Sequence, residues 1–191
     1  MSAVFSKQLE IGQLGESVIA RWCMSRGNSV IPVYEKEIIT GKGPRFFSPQ
    51  GQFVAPDMFI LPSMTFIEAK HKTVFSWHRI TGRWCTGIDL NHYEDYQKVQ
   101  AITGRPVWLL FLHRCSIPDK RDLVAGCPAE CPVGLFGNDL KFLSENENHR
   151  HKNHGRHGMV YWAVDKLRLM SPLNEILENK TISDLFHYSD D

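Results

Sequence analysis

Apolar positions recur at helical spacing near the start of the chain. Leu14, Val18, Ile19 and Trp22 fall on one side of a helix expected over Gly12–Arg26, with Gly27 as its stop. Val30–Tyr34 is short, apolar and β-branched and reads as a strand. Gly41, Gly43, Pro44, Pro49 and Gly51 then mark a flexible connection that carries Lys42 and Arg45. Phe53–Leu61 and Met64–Ala69 are two further apolar runs joined through Pro62 and Ser63, a separation short enough for an antiparallel hairpin. Thr73–Gly87 mixes Phe75, Trp77, Ile80 and Trp84 with His78, Arg79 and Arg83 around Thr81-Gly82, which suggests a second hairpin or a folded-over loop. Asn91 is the expected cap of a helix over His92–Thr103, Gly104 ends it, and Pro106 introduces the strongly apolar strand Val107–His113. Ser116–Gly158 is rich in Pro, Gly, Asn and His and too long for an ordinary connection, so it reads as an irregular insertion. Met159–Val164 is a late strand and Leu173–Leu185 a closing helix, and no internal repeat is visible.

With 191 residues, 42% of them hydrophobic, the chain is long enough to bury a core as one domain spanning 1–191. No apolar stretch approaches a membrane span, and Met1–Gln13 lacks the basic start and apolar run of a signal peptide, so a soluble cytoplasmic protein is expected. The five cysteines are odd in number and uneven in spacing, which argues for reduced thiols over a disulfide scaffold. A net charge of +1 does not advertise a nucleic-acid binder. Lys70, His71, Lys72, His78, Arg79 and Arg83 nevertheless crowd together and permit a locally basic face.

The chemistry is concentrated in the first predicted hairpin. Pro56-Asp57 lies in one strand and Glu68-Ala69-Lys70 closes the next, so pairing brings two carboxylates and an ammonium together. Glu68 and Lys70 stand at i and i+2 and therefore share a strand face. Two carboxylates and a backbone carbonyl are the hard oxygen ligands that Mg²⁺ prefers. Such an ion activates water and neutralises charge on a scissile phosphate.

Pro56-Asp57, ten intervening residues and Glu68-Ala69-Lys70 together resemble the signature of the PD-(D/E)XK nucleases. The resemblance runs from Gly12 to about His113, with Gly12-Gln-Leu-Gly-Glu16 similar to the family's leading helix and its acidic residue. The segment Glu68–His113 also resembles uncharacterised nuclease-like proteins of bacteriophages and bacteria. The resemblance implies a restriction-endonuclease-like three-layer α/β/α fold with a central mixed β-sheet, and Mg²⁺- or Mn²⁺-dependent hydrolysis of DNA in processing, repair or recombination. It implies metal binding by Asp57, Glu68 and the Ala69 carbonyl, positioning or activation of water by Lys70, and a supporting role for Glu16. A catalytically inactive DNA- or protein-binding module on the same fold is the alternative. RNA stays open as a substrate, as does a homodimer.

Secondary candidates carry two readings each. Tyr93, Tyr96, Gln97 and Gln100 share one face of the His92–Thr103 helix at i, i+3, i+4 and i+7, either as groups facing the site or as a solvated face. Trp77, Arg79, Arg83 and Trp84, with Lys72 nearby, suit nucleic acid by stacking and phosphate contact, although hairpin packing explains the tryptophans equally. Cys127 and Cys131 with His149 and His151 offer four ligands to a structural zinc, at a spacing that fits no standard finger. A disordered or phosphate-facing His-rich loop is the other reading.

Overall fold

The strand Val107–His113 (β8) is apolar on both sides because both of its faces are covered. Val107, Leu109 and Phe111 enter one core with Tyr93, Tyr96, Leu140 and Trp162, while Leu110 and Leu112 enter another with Ile19, Cys23, Met58 and Leu135. Two-sided burial of this kind marks an interior strand. The computed structural model describes residues 15–33 and 44–178.

In chain order the elements are a helix over 15–25 (α1), the strands Ser29–Pro32 (β1), Arg45–Ser48 (β2), Gly51–Val54 (β3), Met58–Leu61 (β4), Thr65–Lys72 (β5), Ser76–His78 (β6) and Arg83–Asp89 (β7), then the helix Leu90–Thr103 (α2) and β8. They continue with Lys120–Val124 (α3), Gly134–Asp139 (β9), Leu140–Glu145 (α4), His149–His151 (β10), Met159–Ala163 (β11), Arg168–Ser171 (β12) and Leu173–Glu178 (α5). Six strands form a mixed sheet in the order β1-β4-β5-β8-β9-β12. β5 and β8 are its parallel pair, and its other neighbours are antiparallel. Parallel neighbours need a crossover. The β6–β7 hairpin and α2 supply it.

One face of this sheet is covered by α1 and α5 through Ile19, Cys23 and Ile176. The other is covered by α2, α4 and a second, antiparallel sheet of order β10-β11-β7-β6, through Tyr93, Tyr96, Leu143, Ile88, Val160 and Trp162. The chain is thus an α/β protein built on a mixed sheet. The short β2–β3 ribbon is tied to α2 where the Val54 N–H donates to Asp95 Oδ2 at 2.9 Å. No helix among the described residues is long and apolar enough to cross a membrane.

Several expectations change. The run Phe53–Leu61 is not one strand, because Ala55-Pro56-Asp57 separates β3 from β4. The cap of α2 is Asp89, whose carboxylate accepts from the Asn91 N–H at 3.0 Å, in place of Asn91 itself. The stretch 116–158 is not irregular, since it contains α3, α4 and β10 and gives β9 to the main sheet beside β8. The expected connection around Gly41, Lys42 and Gly43 lies outside the described residues, as do Leu14 and the end of the helix expected to reach Leu185.

Candidate active site

The pairing of β4 with β5 runs Ile60↔Thr65, Phe59↔Phe66 and Met58↔Ile67, and there it ends. Asp57 lies just before β4, and its side chain takes over the role of a strand partner: Oδ2 accepts from the Ala69 N–H at 2.8 Å. Its backbone oxygen accepts from the Val33 N–H at 2.9 Å, which ties the chain end of β1 to the same corner. A strand residue points its N–H and C=O to one edge. The Ala69 carbonyl therefore faces the gap that the Asp57 carboxylate occupies. Alternation along β5 puts Ala69 into the α1-side core and Glu68, Lys70 and Lys72 on the opposite face.

Glu68 is 1% exposed, and the Lys70 ammonium rests on its Oε1. Neither Glu68 oxygen makes a well-formed hydrogen bond among the described residues, although the Tyr96 phenol stands beside them. Glu16 reaches the same place because α1 presses closely on β5: a Cβ at Gly15 would lie 2.5 Å from His71 Cβ. Only glycine permits that approach.

The electrostatics follow from three carboxylates facing one ammonium. Burial and then Glu68 push the Asp57 carboxyl well above the usual carboxylate range, with Glu16 adding to the rise and Lys70 opposing it. Glu16 is raised by burial and by Glu68. Burial works against the charge on Lys70, but Glu68 and Asp57 outweigh it and hold the ammonium more firmly protonated than an ordinary lysine. A cleft of about 290 Å³ runs past Glu16 and Asp57, walled by Ser17 and Ala20 of α1 and by Val30 and Met58 of the sheet.

Crowded, buried carboxylates and a backbone carbonyl just past the end of the β4–β5 ladder form a hard-oxygen donor set that a divalent cation of the Mg²⁺ or Mn²⁺ type suits. Asp57, Glu68 and the Ala69 carbonyl would hold it. Among the described residues no three His, Cys, Asp or Glu side chains are gathered as metal ligands. Two side chains and a carbonyl do not require a third.

Comparison with known proteins finds no matching family model, no matching curated protein and no matching solved structure.

Helix α2 brings one of its four expected residues, Tyr96, to the site and turns the other three to different tasks. Tyr93 is fully buried, packs edge-on against Trp162 at 5.6 Å and donates to Glu147 Oε1 at 2.7 Å. Gln100 Oε1 accepts from the Val107 N–H at 3.0 Å and so secures the start of β8. Gln97 is partly buried and makes no side-chain hydrogen bond among the described residues. Tyr96, as expected of that face, stands toward Glu68 and Asp57; burial and then these two carboxylates raise its phenol well above the ordinary value. His92, one turn earlier and edge-on to Tyr96 at 6.0 Å, is lowered by burial and by Lys70. His92 belongs to no motif in the sequence. Its spacing from Tyr96, four residues along the same helix, was the available signal.

The aromatic and basic hairpin is held by packing. Trp84 is core, Trp77 meets it edge-on at 5.0 Å, and the Trp77 N–H donates to Asp122 Oδ2 at 3.0 Å. Arg83 is paired with Asp165 at 3.0 Å, which leaves Arg79 exposed at the turn. The four expected zinc ligands do not converge. The Cys131 thiol donates to the Cys115 carbonyl at 3.1 Å, and Cys127 is partly buried against the core. His149 is stacked between His78 at 3.8 Å and Tyr161 at 4.5 Å, and His151 stacks on His154 at 3.5 Å.

Proposed function

We propose that this chain is a Mg²⁺- or Mn²⁺-dependent deoxyribonuclease of the PD-(D/E)XK kind, with a restriction-endonuclease-like fold. The observation that carries the reading is the pairing of the buried Glu68 with the half-buried Lys70 on one face of β5, with the Asp57 carboxylate anchored across it on the Ala69 N–H. A purely structural core has little use for this arrangement, because removing charges from water is costly unless something else requires them. The fold supports the same reading: the site sits on a hairpin of a mixed sheet, next to the strand β8 that runs parallel to β5, with helices on both faces.

The chemistry that a cation on Asp57, Glu68 and the Ala69 carbonyl supplies when bound is a lowered pKa for coordinated water and neutralisation of charge on the phosphate. The chain's own groups do the rest. Lys70, kept protonated by Glu68 and Asp57, orients a water by donating to it and offsets the charge that gathers on the phosphate oxygens. Water oxygen bonds to phosphorus as the bond to the leaving sugar oxygen breaks, the water's proton passing to solvent and the departing sugar oxygen taking one from solvent. Glu16 adds a carboxylate on the α1 side, and Tyr96 backs Glu68 from α2. The test is incubation with Mg²⁺ or Mn²⁺ and linear, circular, single-stranded, flapped and four-way-junction DNA, with an RNA strand of equal sequence alongside. DNA cleavage that needs the cation supports the proposal. Binding without cleavage of any member points to a non-catalytic module, and preference for the RNA strand points to a ribonuclease.

A further inference from the structure

Lys72 is a basic group of β5 that the proposed chemistry leaves without a task. It lies two residues beyond Lys70, on the same strand face as Glu68 and Lys70, and about 6.6 Å further along at two strand rises. Its partner in the parallel register is His113, the last residue of β8, which is 0% exposed and stacked on Phe75 at 3.6 Å. Neither ring nitrogen of His113 makes a well-formed hydrogen bond among the described residues, although the Val74 backbone stands beside the ring. The ion pairs found there join Lys70, Arg83, Lys98, Arg121 and Arg150 to carboxylates, and none includes Lys72. Partly buried ammonium groups are normally compensated. Burial and the neighbouring charge of Lys70 accordingly hold Lys72 down to about 8. Lys72 and His113 are also the final residues of the parallel pair, and in open α/β sheets the crevice beyond the carboxyl ends of strands is where ligands bind.

We infer that Lys72 anchors an anion subsite at the carboxyl ends of β5 and β8, which takes a phosphate group of the nucleic acid next to the one being cut. This rests on the nuclease reading of the neighbouring site and deepens it. The bound strand then follows β5 from Glu68 past Lys70 to Lys72, and its phosphate supplies the negative charge that no described residue pairs with Lys72. The phosphate is either an internal diester or a terminal 5′-monoester.

The experiment uses the full chain in EDTA, so that nothing is cut, with a fluorescein-labelled hairpin DNA bearing a single-stranded tail and either a 5′-phosphate or a 5′-hydroxyl. Fluorescence anisotropy across a salt series gives affinity and its salt slope. Lys72→Met and Lys72→Gln are expected to bind about tenfold more weakly and to lower the log–log slope by about 0.7–0.9, the signature of one lost phosphate contact, while Lys72→Arg keeps the slope. A loss confined to the 5′-phosphorylated DNA assigns the monoester, and an equal loss on both assigns the diester. A wild-type slope in both neutral variants overturns the subsite, even if the protein cleaves DNA. A lowered slope in a protein that cleaves nothing keeps the subsite and removes the nuclease reading. No DNA affinity in the wild type overturns both.

Discussion

The Lys70 ammonium rests on the Glu68 carboxylate two residues earlier on β5, where Glu68 is 1% and Lys70 28% exposed. A pair of this kind is held by each partner's need for the other more than by any gain over an apolar core. Lys70→Met should leave Glu68 buried and uncompensated and cost toward the lower end of about 3–5 kcal/mol, because Lys70 keeps some contact with water. Glu68→Gln/Lys70→Met should recover most of that loss. Urea denaturation of the double-mutant cycle measures the coupling, and additive single effects would show that the pair does not act as a unit.

Asp57 gives a pH dependence of unusual sign for a carboxylate. Its folded-state value is raised above the ordinary 3.8 by burial and by Glu68. The folded chain therefore binds more protons than the unfolded one as pH rises from about 3.8 through the raised value, and this contribution to stability declines over that window. Asp57→Asn keeps an oxygen for the Ala69 N–H and removes the charge, so in EDTA at pH 7 it should melt higher than wild type. Mn²⁺ should raise the melting temperature of the wild type and not of the variant, since only the native carboxylate pair binds it. Equal melting curves at all pH values would mean that Asp57 is not strained by its neighbours.

His113 acts in the opposite direction. Burial, with Lys72 and His71, lowers it to about 3. A histidine kept neutral by the fold contributes full stability above its unfolded value near 6.5, and that contribution is lost as pH falls toward 3. For a fully buried ring the loss is about 3 kcal/mol at pH 4. His113→Phe should keep the stack on Phe75 and flatten the acid limb of a stability–pH curve between pH 6.5 and 4. An unchanged acid limb would place the titrating group elsewhere, with His149, lowered to about 4, the next one to replace.

Much of the site was legible because a strand has a period of two. With Glu68-Ala69-Lys70 on β5 and Pro56-Asp57 just ahead of its hairpin partner β4, geometry leaves little freedom in how they meet, and the Gly15-Glu16 step on a preceding helix adds the third carboxylate. The phase of α2 was not legible. Its two tyrosines and two glutamines fit several rotations, and the choice is made by groups far away in sequence: Glu147 draws Tyr93 inward and the Val107 N–H takes Gln100. The strand β9 was hidden for a related reason. The glycine content of the 116–158 stretch favoured an irregular reading, yet a Cβ at Gly137 would collide with Leu110 Cδ2 and lie 2.6 Å from the Leu109 oxygen, so the close packing on β8 itself demands glycine.

Gly15 offers a way to disturb Glu16 without changing any charge. Gly15→Ala places a methyl group against the His71 side chain and should push α1 outward, costing about 1–3 kcal/mol by overpacking. The site should remain assembled from Asp57, Glu68 and Lys70 while cleavage falls and the cation requirement rises. Full activity at low Mg²⁺ in a destabilised Gly15→Ala protein would show that Glu16 takes no part.

The most direct measurement is the rate of cation-dependent cleavage of the preferred DNA by wild type, Asp57→Asn and Lys70→Met at matched folded concentration. The arrangement of Asp57, Glu68 and Lys70 predicts a loss of about 10²- to 10⁴-fold in each variant, as for removal of a group that acts on the reacting water or phosphate. Cleavage that persists at the wild-type rate in both variants would contradict the assignment of this site.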